Sequence, residues 1–275
     1  MLETTIIPRQ PYSLALSARL RSDVTRRFRE GVLTVALEGG GQPALARVRQ
    51  RSDGGLDVSL EAAEPNEAFD RLRFVLAADA DHTPFLRRFA NDPLLGRAVR
   101  RLRGLRPLRT ATVTHSLLKA VCGQLIQASA ARALEARLIR TLGAPLGDLF
   151  LPPTRATFGE LAPAQLARTG LVARKANALV RLSREWDVER LRGIETQAAA
   201  TRLERERGLG PWSAGMVCLH GLGRYEQGLV GDLGLVKLCS ALLGRRAEPE
   251  DTRQLLEPYD EWAGLASIYL LAKPA

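Results

Sequence analysis

The stretch Gly208-Leu209-Gly210-Pro211-Trp212-Ser213-Ala214 constrains the fold more than any other in this chain of 275 residues. Upstream, residues 199–207 suit a helix. Gly208 and Gly210 allow a tight turn whose backbone can approach another surface closely. Pro211 suits the first position of a new helix, where its missing N–H costs nothing. Residues 212–222 are apolar enough to continue that helix into a core. The expected unit is helix, hairpin, helix, with N–H groups exposed at the second helix start, where an oxyanion is attracted. An ordinary turn between two core helices has the same pattern.

A second feature follows downstream. Gly231-Asp232-Leu233-Gly234-Leu235 sets an acid before an apolar run, 233–243. Aspartate is a common N-cap, so Asp232 has a purely structural reading beside any chemical one. The charge balance favours an acidic partner: 40 Lys and Arg against 30 Asp and Glu leave a net +10. A basic excess of that size attracts nucleic acid or other acidic surfaces without naming which.

Leu209-Gly210-Pro211-Trp212-Ser213-Ala214 followed by Asp232-Leu233-Gly234-Leu235 resembles the helix-hairpin-helix superfamily of DNA glycosylases. Within it, the chain is most similar to the bacterial alkylpurine branch, 3-methyladenine DNA glycosylase II. Two further segments carry the likeness. Gly123-Gln124-Leu125, in the run 117–127, resembles that family's wedge. Leu171-Val172-Ala173-Arg174-Lys175-Ala176 resembles its short turn before a helix. The resemblance is good from about residue 110 onward and loose before it.

The resemblance implies a monofunctional enzyme that flips an alkylated purine out of double-stranded DNA and hydrolyses its glycosidic bond. Asp232 falls on the catalytic aspartate. Breaking a purine N-glycosidic bond builds positive charge on the deoxyribose, which a facing carboxylate stabilises while it orients or deprotonates water. Trp212 stands where bifunctional relatives carry a Schiff-base lysine, so water should be the nucleophile and the product an abasic site. Lys237 lies five residues past Asp232, off its helical face. Trp212 is also a stacking surface for a cationic alkylated base, and Trp262 a second pocket aromatic, with core packing the alternative for both. Met216 replaces an aromatic of the best-known branch, which leaves the lesion range open. Leu125 matches the wedge that fills the gap left by an extracted nucleotide, with Gln124 beside it on the duplex. Gly208 and Gly210 should hold a phosphate, with Arg174 and Lys175 as additional phosphate contacts. No cofactor is required, but the family's hairpin carbonyls bind a monovalent Na+ or K+. Here these would be Glu204, Glu206 and Gly208. Deaminated or oxidised purines are alternative substrates, and a damaged-DNA-binding module without catalysis is the alternative of another class.

The whole reads as an α+β protein. Residues 1–108 should form an antiparallel sheet domain with helices, and residues 109–275 an all-helical glycosylase domain, with Pro107 near the joint. Period-two alternation marks strands at 13–18, 33–37 and 56–60, and a helix should cover 67–77. A helix is expected at 94–102. From Arg97 to Arg109 six arginines occur with no acid, either a phosphate-facing patch or a solvated surface. One long helix is expected from Thr112 or Thr114 to Arg140. Cys122, Cys218 and Cys239 are widely spaced in apolar runs, neither a disulfide framework nor a metal pattern. His82, His115 and His220 read as isolated. Met1-Leu2-Glu3-Thr4-Thr5 lacks the basic start of a secretory signal, and no run suits a membrane span. A cytoplasmic, nucleoid-associated monomer is the expectation.

Overall fold

A computed structural model describes residues 1–19 and 23–272. Its sheet is made of β1 (Leu2–Ile6), β2 (Arg26–Arg29), β3 (Val32–Gly39), β4 (Gln42–Gln50) and β5 (Leu56–Ala62). The spatial order is β1-β5-β4-β3-β2, antiparallel throughout. Leu33 opposes Val48 and Val48 opposes Val58, so one face carries a continuous apolar row. Leu72, Val75 and Leu76 of α2 (Pro65–Leu76) close that face. The alternation at 33–37 and 56–60 is therefore a true strand signal.

The alternation at 13–18 is not. Residues Leu14–Arg19 form α1. Leu14 and Ala18, four apart, are both buried, and Ser13 Oγ accepts from the Leu16 N–H at 3.3 Å, a helix-start contact. Six residues of alternating polarity satisfy either period when their ends fall on i and i+4.

Three further elements complete the N-terminal half and the first layer of the bundle: α3 (Thr83–Arg88), α4 (Gly96–Arg101) and α5 (Val113–Gly123). Thr112 caps α5, its Oγ1 accepting from His115 N at 3.1 Å. Glu189, distant in sequence, adds carboxylate acceptors for Val113 N and Thr114 N at 3.0 and 2.9 Å. The expected long helix to Arg140 does not form. The chain breaks after Gly123 and restarts as α6 (Ala128–Leu142). A two-residue ladder, β6 (Pro145–Leu146) with β7 (Leu149–Phe150), follows.

Beyond it run α7 (Arg155–Gly159), α8 (Pro163–Arg168), α9 (Ala173–Glu185), α10 (Thr196–Glu204), α11 (Pro211–Val217), α12 (Leu233–Leu243), α13 (Pro249–Leu256) and α14 (Ala263–Leu271). The helix expected over 212–222 is α11 followed by one π-helical turn, Cys218–Leu222. Leu117, Leu118 and Val121 of α5 form the centre of the bundle, packed with Leu138, Leu179, Leu203 and Val217. A second helical core joins Phe85, Leu95 and Val99 to Leu235, Leu265 and Tyr269. The cores thus do not follow the division at residue 108, because α3 and α4 pack with the C-terminal helices.

Of the six arginines, Arg97, Arg100, Arg101 and Arg103 are exposed, as a surface requires, and Arg101 lines the cleft that Asp232 also lines; Arg106 and Arg109 are not on that surface. Arg106 is fully buried, its Nη2 donating to the Arg9 carbonyl at 3.1 Å. Arg109 stacks on Phe74 at 4.8 Å and donates to the Gly223 carbonyl at 3.2 Å. These two side chains tie segments together from inside. Sheet and bundle also meet through a buried ionic cluster. Asp23 lies 3.2 Å from Arg26 Nε, and Glu135 bonds Lys119 Nζ at 3.0 Å and His115 Nε2 at 2.9 Å. The acidic and imidazole ligand atoms of Asp23, His115 and Glu135 lie within 4.8 Å of one another. His115 is thus not isolated, and Arg26 and Lys119 balance the two carboxylates.

Candidate active site

The hairpin has the geometry its glycines suggest. Gly208 sits at φ +96°, a left-handed conformation that an L side chain rarely adopts. Leu209 turns back into the core, its N–H donating to the Glu206 carbonyl at 2.9 Å. Pro211 opens α11. Arg181 braces the turn from α9, its Nη1 3.0 Å from Glu206 Oε2.

Asp232 caps α12, and its carboxylate is held at both oxygens. Oδ1 accepts from Gly234 N at 2.8 Å, and Oδ2 accepts from Trp212 Nε1 at 3.0 Å. The cap and the chemical reading of Asp232 therefore coexist: one oxygen completes the helix, and the other meets the hairpin indole. Both contacts fix the carboxyl plane, which pre-orients a negative charge.

The break between α5 and α6 faces the same place. Leu125 has φ +59° and is 78% exposed, although it is a large apolar residue. Holding a leucine in the left-handed region costs on the order of 1–2 kcal/mol. Gln124 Nε2 donates to the Gly208 carbonyl at 2.7 Å and to Ser213 Oγ at 3.0 Å. Gly123 abuts the edge of the Trp212 ring: a Cβ there would stand 2.6 Å from Cη2. Gly123→Ala is therefore expected to push the indole off Asp232. The overpacking should cost about 1–3 kcal/mol of stability. A shifted tryptophan emission with lowered activity would show it, and unchanged emission would count against it.

Leu125, Lys175, Gly208, Trp212, Met216 and Asp232 all line one continuous cleft of about 2470 Å³. Arg132, Arg174, Arg181, Arg207 and Lys237 line it too and give it a basic rim. A basic cleft with a carboxylate fixed beside the hairpin indole and an exposed apolar residue on its wall suits a polyanion from which one unit is drawn out.

No protein-family model matches the chain. Over 203 residues it is 26% identical to the DNA-3-methyladenine glycosylase of Bacillus subtilis, a stretch covering 70% of this chain and 67% of that protein. Over 205 residues it is 30% identical to a probable bifunctional transcriptional activator/DNA repair enzyme AlkA of Mycobacterium tuberculosis, covering 73% of this chain but 41% of that one. The fold is shared along nearly the whole length with a 3-methyladenine DNA-glycosylase from Archaeoglobus fulgidus, at TM-score 0.83, 20% identity and 98% and 97% coverage. It is shared also with an 8-oxoguanine glycosylase/lyase of Clostridium acetobutylicum, at TM-score 0.77, 16% identity and 94% and 90% coverage. These similarities support an AlkA-like helix-hairpin-helix DNA glycosylase.

Within that glycosylase architecture, most residues singled out from the sequence converge, but three are used differently from expectation. Lys175 does not project to the surface. It is 8% exposed and its Nζ donates to the Gln124 carbonyl at 2.9 Å. Burial holds its pKa below the ordinary lysine range, the Cys122 thiol working against this and Arg174 with it. The Gln124 amide is turned into the protein, toward the hairpin. Trp262 is absent from the cleft walls. It stacks on Tyr225 at 5.9 Å and meets Phe85 at 5.8 Å within the C-terminal core, which is the packing alternative. Arg174 is exposed and lines the cleft.

Arg181 and Asn177 went unnoticed in the sequence. With Arg174 and Ala178 they line the cleft at i, i+3, i+4 and i+7 along α9, a helical stripe that the spacing could have shown. The three buried cysteines are free. Among the described residues no helix is long and apolar enough to cross a membrane.

Proposed function

We propose that this glycosylase is monofunctional and excises alkylated purines of the 3-methyladenine type from double-stranded DNA, leaving an abasic site for base excision repair. The observation that carries this reading is Asp232, fixed by Trp212 Nε1 and Gly234 N in the basic cleft that the exposed Leu125 also lines. Leu125 enters the stack as the lesion leaves it, replacing part of the lost stacking. Asp232 faces the deoxyribose, stabilises its developing positive charge and aligns water for attack. The purine departs more easily when alkylation has already made it cationic, and the face of Trp212 attracts such a ring. Met216 sits in the same cleft and gives it a softer wall than an aromatic would. Trp212 cannot form a Schiff base, so strand cleavage is not part of the reaction.

Gly208 and Gly210 position a phosphate at the hairpin, with Arg174 beside it. The carbonyls of Glu204, Glu206 and Gly208 are the proposed ligands of a monovalent cation there, present when DNA is bound. Those of Glu206 and Gly208 already accept hydrogen bonds from Leu209 N and Gln124 Nε2, and each oxygen keeps a second lone pair. The protein acts as a monomer. Similarity to proteins named 3-methyladenine glycosylases supports the alkylated substrate.

Wild-type protein incubated with methylated duplex should release base and give nicks only after alkali. Nicks without alkali would end the monofunctional reading. A panel of single-lesion duplexes should favour alkylated over deaminated and oxidised purines; preference for an oxidised purine would move the substrate toward the chemistry named for the Clostridium protein. Lesion DNA bound without any base release would leave a binding module.

A further inference from the structure

The turn that carries Leu125 has a definite type. Gln124 sits at φ −59°, ψ 120°, and Leu125 follows at φ +59°. Extended Gln124 followed by positive φ at Leu125 is the order of a type II turn, whose third position normally needs glycine. The relaxed alternative is a flip of the peptide between them. It would carry Leu125 to negative φ and swing the Gln124 carbonyl to the other side. The Gln124 carbonyl therefore reports which of the two conformations the turn holds, and holding that carbonyl fixes the left-handed form at Leu125.

That carbonyl is the group Lys175 holds, at 2.9 Å. The lysine is otherwise badly placed. It is buried, and it stands in the first turn of α9, where the helix dipole repels a cation. A charge-assisted hydrogen bond to the carbonyl compensates these costs and opposes the flip. The other side of the turn is fastened to the hairpin, through Gln124 Nε2 on Gly208 and Ser213 and through Gly123 on Trp212.

We propose that Lys175 is a positioning residue for base extraction: by locking the central peptide of the 124–125 turn it presents Leu125 as a wedge. This rests on the glycosylase reading, and it takes Lys175 out of the set that binds phosphate. The side chain acts through the turn and not on the DNA.

The test uses full-length protein with two duplexes, one bearing an alkylated purine in a normal pair and one bearing it opposite an abasic analogue. In the second duplex extraction requires little help. A 2-aminopurine beside the lesion reports unstacking. Lys175→Met should slow single-turnover release from the paired lesion about tenfold or more. On the unpaired lesion the change should stay within about threefold, and duplex affinity should be unchanged. The unstacking signal should fall in parallel. Lys175→Arg, which keeps a donor, should restore both. In a Leu125→Ala background Lys175→Met should add nothing, because the turn no longer carries a wedge.

Equal slowing on both duplexes, additivity with Leu125→Ala, or weakened affinity at an unchanged release rate would each overturn the proposal. The last would return Lys175 to phosphate binding. If wild type released no base from either duplex, the glycosylase reading would fail by itself, while the 2-aminopurine signal of wild type and variant would still decide the positioning role.

Discussion

Asp232→Asn is expected to lower base release by at least about 10³-fold while leaving lesion-DNA affinity within a few-fold of wild type. Two effects add. The negative charge that faces the forming sugar cation is lost. The geometry changes as well, because both carboxylate oxygens accept from N–H donors, Trp212 Nε1 at 3.0 Å and Gly234 N at 2.8 Å. An asparagine has one acceptor oxygen, so its NH2 must confront one of those donors. If it keeps the helix cap, the amide pushes against the indole, and Trp212 moves from the pocket wall. Single-turnover release from methylated duplex, beside a binding titration with the same DNA, separates chemistry from affinity. Release within tenfold of wild type would remove Asp232 from the reaction and leave it as a cap. Loss of both release and binding would assign it to the scaffold.

Asp232 was legible because two local rules agree there. Glycine, an acid and an apolar run mark the start of α12, and its bounds, Leu233–Leu243, are those the run suggests. Gly208 was legible for a similar reason, since only a turn uses a glycine between two helical stretches, and its φ is +96°. The break after Gly123 was not. The apolar spacing continues across it, no proline interrupts it, and one glycine inside a helix is a mild penalty. What stops α5 is tertiary: the Trp212 ring on Gly123 and the Lys175 ammonium on the Gln124 carbonyl. Lys175 illustrates the same limit, because a sequence displays a charge and not the direction in which it points. Trp262 stacks among Phe85 and Tyr225, residues far from it in sequence and from one another, so no local pattern could place it. The resemblance to known glycosylases singled out residues 123–125, which form the turn between α5 and α6. The hydrogen bonds that shape that turn come from α9 and the hairpin.

The ionic cluster between sheet and bundle should dominate stability. Glu135→Ala is expected to cost about 3–5 kcal/mol, lowering Tm by roughly 10 °C. The carboxylate is 3% exposed and serves both Lys119 Nζ and His115 Nε2, so its loss strands a half-buried ammonium. Asp23 feels the same Lys119 charge and absorbs part of the deficit, which places the cost toward the lower end. The sign with pH follows from the two acids. Burial alone would raise both, but Lys119 and His115 hold Glu135 below the ordinary value of 4.5. Arg26, with Lys119, His115 and Thr25, holds Asp23 below 3.8. Groups depressed in the folded state stabilise it fully above their unfolded values and lose that contribution as pH falls through the folded ones. Wild type should thus be steady above about pH 5 and weaken steeply below about pH 4. Glu135→Ala should start lower and fall less. Chemical denaturation at pH 7, 5 and 3.5 measures both. Parallel curves for the two proteins would show that the cluster does not couple stability to acid, and a cost under about 1 kcal/mol would mean that water enters to replace the carboxylate.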